Sequence, residues 1–213
     1  MFQESYRPPT QFSVFPPVIK NLLFLNVLVF MVQLVESTNL LFTRWFALWP
    51  IGVNFWPWQL LTYGFLHGGF SHLFFNLLAL WMFGVRTENT WGSQRFGLYY
   101  FACVIGAGLL QLLVALVTGE VYPTVGASGG VFGLLLAFGM MYPDEPIYLY
   151  FFVPVKAKWF VIGYGVLELY AGFTGSMPGV AHFAHLGGML FGFLMLQYWR
   201  GKLPFQPRQR MYW

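Results

Sequence analysis

Val125-Gly126-Ala127-Ser128-Gly129-Gly130-Val131-Phe132-Gly133 sets one hydroxyl among four glycines and an alanine at the head of an apolar helix. Small residues in apolar helices commonly mark a close approach between two helices, so a serine here reads first as a packing residue. A second stretch changes that reading. In Ala184-His185-Leu186-Gly187-Gly188-Met189-Leu190-Phe191-Gly192, a histidine 57 residues after Ser128 heads another apolar, glycine-bearing helix. Two glycine-faced helices packed together can bring hydroxyl and imidazole within hydrogen-bond reach, which makes Ser128 a nucleophile candidate.

The chain around these stretches has 213 residues, 58% hydrophobic, 22% aromatic and 8% charged. An ordinary soluble domain carries about 25% charged residues, so this composition is that of an all-α membrane protein embedded in a lipid bilayer. The length suits one helical bundle with short loops and no appended soluble domain. A formal charge of +4 could suggest nucleic acid, but the eleven basic residues stand singly between apolar runs and form no patch, so no nucleic-acid partner is expected. Cys103 is the single cysteine and cannot form an intrachain disulfide. The first twenty residues hold Pro8, Pro9, Pro16 and Pro17 and lack the charged-then-apolar order of a cleaved signal. The amino terminus is expected to stay where it is made.

Six apolar segments follow one another, at 19–35, 70–85, 96–118, 125–141, 159–171 and 182–199. The first is near the shortest length, about 17 residues, that crosses a bilayer. The long connection from Glu36 to Gly69 holds Trp45, Trp49, Trp56 and Trp58 and is expected to lie at the outer membrane interface. Arg86 to Arg95 reads as a polar turn in which Glu88 accepts from the backbone, and an amphipathic link joins Pro146 to Lys156 and Lys158. The expected organisation is a cytoplasmic segment 1–18, a six-transmembrane-helix domain 19–199 and a cytoplasmic basic tail 200–213.

Six crossings put both termini on one side. That side then holds Arg7, Lys20, Arg86, Arg95, Lys156, Lys158, Arg200, Lys202, Arg208 and Arg210, against Arg44 alone on the other. The bias makes the termini cytoplasmic and places the heads of spans two, four and six, which carry His72, Ser128 and His185, toward the outside.

A serine hydroxyl needs a base during attack, and histidine, with a pKa near 6.5, suits that role. Ser128 and His185 supply the pair. The oxyanion that forms needs preorganised donors, for which the backbone N–H at Gly129, the Asn76 amide and the His72 imidazole are candidates; His72 and Asn76 share a helix face. Gly126, Gly129 and Gly130 are expected to let substrate backbone come close, and Gly133 to lie against span six. Glu168 is the one carboxylate inside a span, expected as a hydrogen-bonded or protonated group near the outer interface, and no third acidic member of a triad is apparent. His182, one turn before His185, competes for the base role and is expected to shape the entrance. His67 is expected to organise its loop. A metal on His182 and His185 would need His72 or Glu168 as a further ligand. With no His-Glu-x-x-His pair and no cysteine cluster, neither metal nor cofactor is expected, and the single aspartate, Asp144, excludes a paired-aspartate mechanism.

These residues together resemble the rhomboid family of intramembrane serine proteases. The resemblance rests on Gly126-Ala127-Ser128-Gly129, on His185 followed by Gly188 and Gly192, on His72 with Asn76, and on the long loop after the first span. It implies a six-helix rhomboid-like bundle with Ser128 as nucleophile, His185 as general base, and His72 and Asn76 as oxyanion contributors. It also implies single-span membrane protein substrates, cut in or beside a helix that must unwind locally, with span five and the loop Gly172 to Gly179 as gate and cap. Its glycine spacing fits His185 and not His182. Two positions depart from the family pattern: Trp58-Gln59 stands where many members have Trp-Arg, and Phe132 where some place a tyrosine over the histidine. Phe132 can stack but cannot donate a hydrogen bond. An inactive client-binding relative would lack Ser128 or His185. A proton channel or carrier would show an inverted repeat or a charged path, and neither is present. A bacterial inner membrane is the expected location.

Overall fold

The structure, a computed structural model, describes residues 12–149, 152–177, 179–205, 207 and 210–211; of the residues named above, Arg7, Pro8, Pro9 and Arg208 lie outside the described residues. The apolar segments are helices. In chain order these are α1 (Pro17–Gln33), α2 (Glu36–Phe46), α3 (Gln59–Thr62) with a 3-10 turn at Tyr63–Phe65, α4 (Phe70–Trp91), α5 (Ser93–Thr118) and α6 (Ser128–Met141). A hairpin of β1 (Pro146–Leu149) and β2 (Val153–Lys156) then leads to α7 (Ala157–Thr174) and α8 (His182–Trp199).

The long connection after α1 contains α2 and α3. Two expectations are corrected. The residues read as a polar turn after position 85 continue α4 for another turn and a half, to Trp91. Their side chains bond back to the helix, with Thr87 Oγ1 donating to Phe83 O at 2.7 Å and Asn89 Nδ2 to Val85 O at 2.8 Å, so polarity does not end the helix. Gly92 ends it, at φ 80°, a conformation glycine adopts without strain. The link before α7 is an antiparallel hairpin pairing Ile147 with Val155, because β-branched residues and proline favour extended backbone over helix.

Glu88 does accept backbone donors, but from another helix. Pro17 sits in the first turn of α1, where its missing N–H is no loss. The next two N–H groups, of Val18 and Ile19, donate to Glu88 Oε1 and Oε2, both at 2.9 Å. Ser93 Oγ adds a third bond to Oε1 at 2.6 Å. One buried carboxylate thereby ties together α1, α4 and the start of α5.

The core is built where α5, α6 and α8 meet. Backbones approach closely there because glycines face one another: a Cβ at Gly188 would overlap the Gly129 carbonyl, one at Gly133 would overlap Cys103, and one at Gly106 would overlap the Phe191 ring. Tyr99 OH donates to Gly133 O at 2.8 Å and closes the same interface with a hydrogen bond. Eleven of the fourteen residues of α6 are buried, which makes it the central element.

By length and composition α5 is long and apolar enough to cross a membrane, and the segment Gln59–Phe65 with α4 passes the same test as a pair bent by 100°. Helices α1 and α6 are apolar but shorter.

Candidate active site

Ser128 is the first residue of α6. The chain reaches it along a fixed path. Leu48 and Thr124 exchange backbone hydrogen bonds at 3.0 and 2.9 Å, and Gly126 N donates to Tyr63 O at 3.0 Å, which fastens the segment before α6 to the long loop. Gly126 holds φ 127°, and a Cβ there would press on the His72 ring. Glycine is therefore needed both for the backbone and for the imidazole beside it. The helix begins with Ala127 O accepting from Val131 N at 3.1 Å, so the amides of Ser128, Gly129 and Gly130 have no helical carbonyl before them and lie at the positive end of the α6 dipole.

The Ser128 hydroxyl lies 2.8 Å from His185 Nε2, a hydrogen bond between the heads of α6 and α8. Phe132, one turn along α6, stacks flat on the His185 ring with centroids 4.2 Å apart and planes 7° from parallel. The stack limits tilting of the imidazole. The pair opens into a cavity of ≈ 720 Å³ bounded by His72, Asn76, Val125, Tyr164 and Val180 among others.

The remaining site residues divide. His72 and Asn76 border the same cavity on α4; Asn76 Nδ2 is bonded to His72 O at 2.8 Å, and its buried Oδ1 has no hydrogen-bond partner among the described residues. Gly129 contributes backbone only, because the face a side chain would occupy meets Ala107 and Tyr63. Gly130 likewise faces the Tyr100 ring. The expectation that Gly129 and Gly130 make room for substrate is corrected: their small size serves packing against α5. Gly133 touches Cys103 of α5 and approaches Gly188 O of α8, so it faces both helices.

His182 is not at the entrance. It is buried, with Nδ1 2.6 Å from Glu168 Oε2 and Nε2 3.2 Å from the Met177 carbonyl. Glu168 Oε2 also lies 3.0 Å from His185 Nδ1, although that ring nitrogen makes no hydrogen bond of standard geometry. An acidic neighbour to the Ser128–His185 pair thus exists, against the expectation that none is apparent. Its one legible sign was its isolation, since an ionisable residue inside an apolar segment is by default a functional candidate. Ligand atoms of Glu168, His182 and His185 fall within 4.8 Å of one another, a spacing a metal could use. Of these contacts, that of His182 Nδ1 with Glu168 Oε2 is a hydrogen bond.

At His67 it is the backbone that ties the loop to α1: its N–H donates to Gln33 Oε1 at 3.0 Å and its carbonyl accepts from Gln33 Nε2 at 3.3 Å, while the imidazole nitrogens make no hydrogen bond among the described residues. Gln59, the departure from Trp-Arg, is fully buried. Its Oε1 accepts from Trp49 N and Trp56 N, both at 3.2 Å, while Nε2 donates to Asn54 O at 3.1 Å. An uncharged amide therefore anchors the tryptophan loop from within.

The family model of the rhomboid domain matches residues 54–201, which takes in every residue of the site. The chain belongs to the rhomboid family. Among curated proteins it is similar to RHOMBOID-like protein 4 of Arabidopsis thaliana, 37% identical over 147 residues, covering 65% of this chain and 33% of that protein. Rhomboid protease GluP of Bacillus subtilis is 35% identical over 136 residues, covering 64% of this chain and 25% of GluP. Presenilin-associated rhomboid-like protein of Rattus norvegicus, a mitochondrial protein, is 28% identical over 188 residues, covering 84% of this chain and 49% of that protein. The chain thus spans between a quarter and a half of these relatives. Rhomboids are membrane-embedded, and proteases are among them.

Proposed function

We propose that this rhomboid is an intramembrane serine endopeptidase in which Ser128 is the nucleophile and His185 the general base. The observation that carries the reading is the 2.8 Å contact between Ser128 Oγ and His185 Nε2 at the edge of a large cavity. As Oγ attacks the scissile carbonyl carbon, its proton passes to Nε2 and the carbonyl π pair becomes an oxyanion. The Gly129 N–H at the positive end of α6, with His72 and Asn76, faces that charge; Asn76 Nδ2 exchanges its bond to His72 O for the oxyanion. Collapse expels the amine, which takes the proton from Nε2, and water then releases the acyl group by the same steps.

Helices α1, α4, α5, α6, α7 and α8 are read as six spans of the domain 19–199. Large apolar side chains face outward along them, including Phe24 and Met31 of α1, Leu113 and Val117 of α5, and Val166 and Phe173 of α7. Such a belt suits acyl chains and not water. At 1.5 Å per residue, the fourteen residues of α6 cover about 21 Å of a hydrocarbon core about 30 Å thick. Ser128 then lies below the surface, where a single-span substrate must unwind to present a carbonyl otherwise bonded within its own helix. Both termini are cytoplasmic, and a bacterial inner membrane is the proposed setting.

The test uses protein in liposomes with a single-span reporter substrate and a fluorophosphonate probe. The wild type should cleave the reporter and be labelled, and Ser128→Ala should lose both. Cleavage by Ser128→Ala at the wild-type rate would overturn the mechanism, and a wild type that binds reporters without cleaving them would favour an inactive client-binding relative.

A further inference from the structure

Glu168 and His182 are buried and border the proposed base, yet the Ser–His mechanism gives neither of them a task. Three observations narrow what they do. The Met177 carbonyl can only accept, so at 3.2 Å His182 Nε2 carries a hydrogen. If His182 is neutral, its Nδ1 is then the bare nitrogen, and the 2.6 Å contact to Glu168 Oε2 requires a proton from the carboxyl; if His182 is protonated, Glu168 is a carboxylate. In both cases the pair shares one proton and is neutral overall, which is how a carboxyl tolerates an apolar surrounding. In both cases, too, Oε2 keeps a lone pair free for His185 Nδ1, 3.0 Å away.

We propose that Glu168 is a positioning residue for the general base: Oε2 receives Nδ1–H of His185, and His182 holds Glu168 in place. The proposal rests on the reading of Ser128 and His185 as a catalytic pair and extends it to a chain of four groups, Ser128–His185–Glu168–His182. Fixing the hydrogen on Nδ1 leaves Nε2 bare, the only tautomer in which Nε2 can take the serine proton. When that proton arrives, the imidazolium faces a carboxyl whose own proton has been drawn toward His182 Nδ1. Charge forms on His185 beside a compensating oxygen, and no proton leaves the chain of groups. The present misalignment at Nδ1 is of the kind that tightens when substrate binds.

The arrangement also explains the spacing of the histidines. His182 and His185 are three residues apart on α8 and share a face, so one carboxyl from α7 reaches both rings. Phe132 covers a face of the His185 ring while Glu168 meets its edge at Nδ1, so the two restrain different motions of the imidazole. Through Met177 the support reaches the loop after α7.

The experiment compares wild type, Glu168→Gln, Glu168→Asp, His182→Gln and the inactive control Ser128→Ala in liposomes. It reads kcat and KM on the reporter, the fluorophosphonate labelling rate, and the midpoint of thermal unfolding in detergent. Partners that orient a metal-bound histidine change activity by about 10- to 100-fold, and the same order is expected for one that orients a general base. Glu168→Gln, the same size and still hydrogen bonding, should lose that factor in kcat and labelling rate with KM unchanged. Glu168→Asp should recover part of the loss, and His182→Gln should fall between Glu168→Gln and wild type. A Glu168→Gln protein with wild-type kcat, or one whose lower activity follows a lower unfolding midpoint and is not partly recovered by Glu168→Asp, would overturn the proposal. If Glu168→Gln does not fold, the Glu168→Asp and His182→Gln proteins decide it by the same split between kcat and KM. A wild type that neither cleaves nor labels would instead refute the Ser128–His185 reading itself.

Discussion

Gly188 shows how little room a single position can leave. A methyl group there would overlap the Gly129 carbonyl, a backbone atom that cannot swing aside as a side chain could. Overpacking a filled interior costs about 1–3 kcal/mol, and here the strain falls one residue from Ser128. Gly188→Ala should therefore lower the unfolding midpoint in detergent and slow fluorophosphonate labelling. An unfolding midpoint and labelling rate equal to wild type would show that α8 can shift without disturbing the site. Ser128 and His185 were legible in the sequence as a hydroxyl and an imidazole at the heads of apolar helices, and Gly188 and Gly192 through the spacing of the resemblance. Gln59 and Glu168 were visible as residues and not as contacts. A glutamine beside a tryptophan gives no sign that its amide collects N–H groups from positions 49 and 56.

At the scale of elements, hydrophobic runs located the helices and misjudged their ends. α4 runs past its apolar stretch because threonine and asparagine side chains bond to the preceding turn, and the Arg86 side chain reaches away from the helix to meet Glu145 at 2.9 Å and to lie over the Tyr142 ring. Burial elsewhere in the fold lets those polar groups remain helical. The β1–β2 hairpin was missed because a four-residue strand carries too few alternations to separate from an amphipathic link. Its ends are joined to α7 by Asp144, which accepts from Lys156 and Lys158 at 3.0 and 2.9 Å. Those hydrogen bonds hold the Asp144 carboxyl below its ordinary value. A carboxyl lowered in the folded state contributes stability above its unfolded value and loses it as pH falls through the folded one. The clasp should thus persist through about pH 4, the usual range for aspartate titration, and open only in stronger acid. Carbon-13 detection of the Asp144 carboxyl should give a midpoint below that of the Lys156→Met, Lys158→Met double variant. Equal midpoints would mean that the lysines do not engage it in solution.

For the whole molecule, the charge bias and the order of the helices carry the proposed topology. Cysteines placed at Lys156 and Lys202 in a Cys103→Ser background should be reached by a membrane-impermeant thiol reagent only from the side of the termini. A cysteine at Asn54, in the tryptophan loop, should be reached only from the other side. Labelling of Lys202 and Asn54 substitutions from the same face would break the six-span arrangement. The Leu48–Thr124 bridge and the Tyr63–Gly126 hydrogen bond add a further expectation about integrity: the loop after α1 and the head of α6 form one unit.

The sequence by itself determined that the chain is apolar and helical, that Ser128 and His185 head glycine-bearing helices, and that the pattern is that of a rhomboid. Those features are local, written in residue type, period and spacing, and they need no knowledge of which helix touches which. Only the tertiary structure decided that Gly129 and Gly130 serve packing, that His182 turns away from Ser128, and that Glu168 comes from α7 to stand behind His185. Contacts between distant segments depend on helix rotation and crossing, which a one-dimensional pattern of apolar residues leaves open when a helix is apolar on every face.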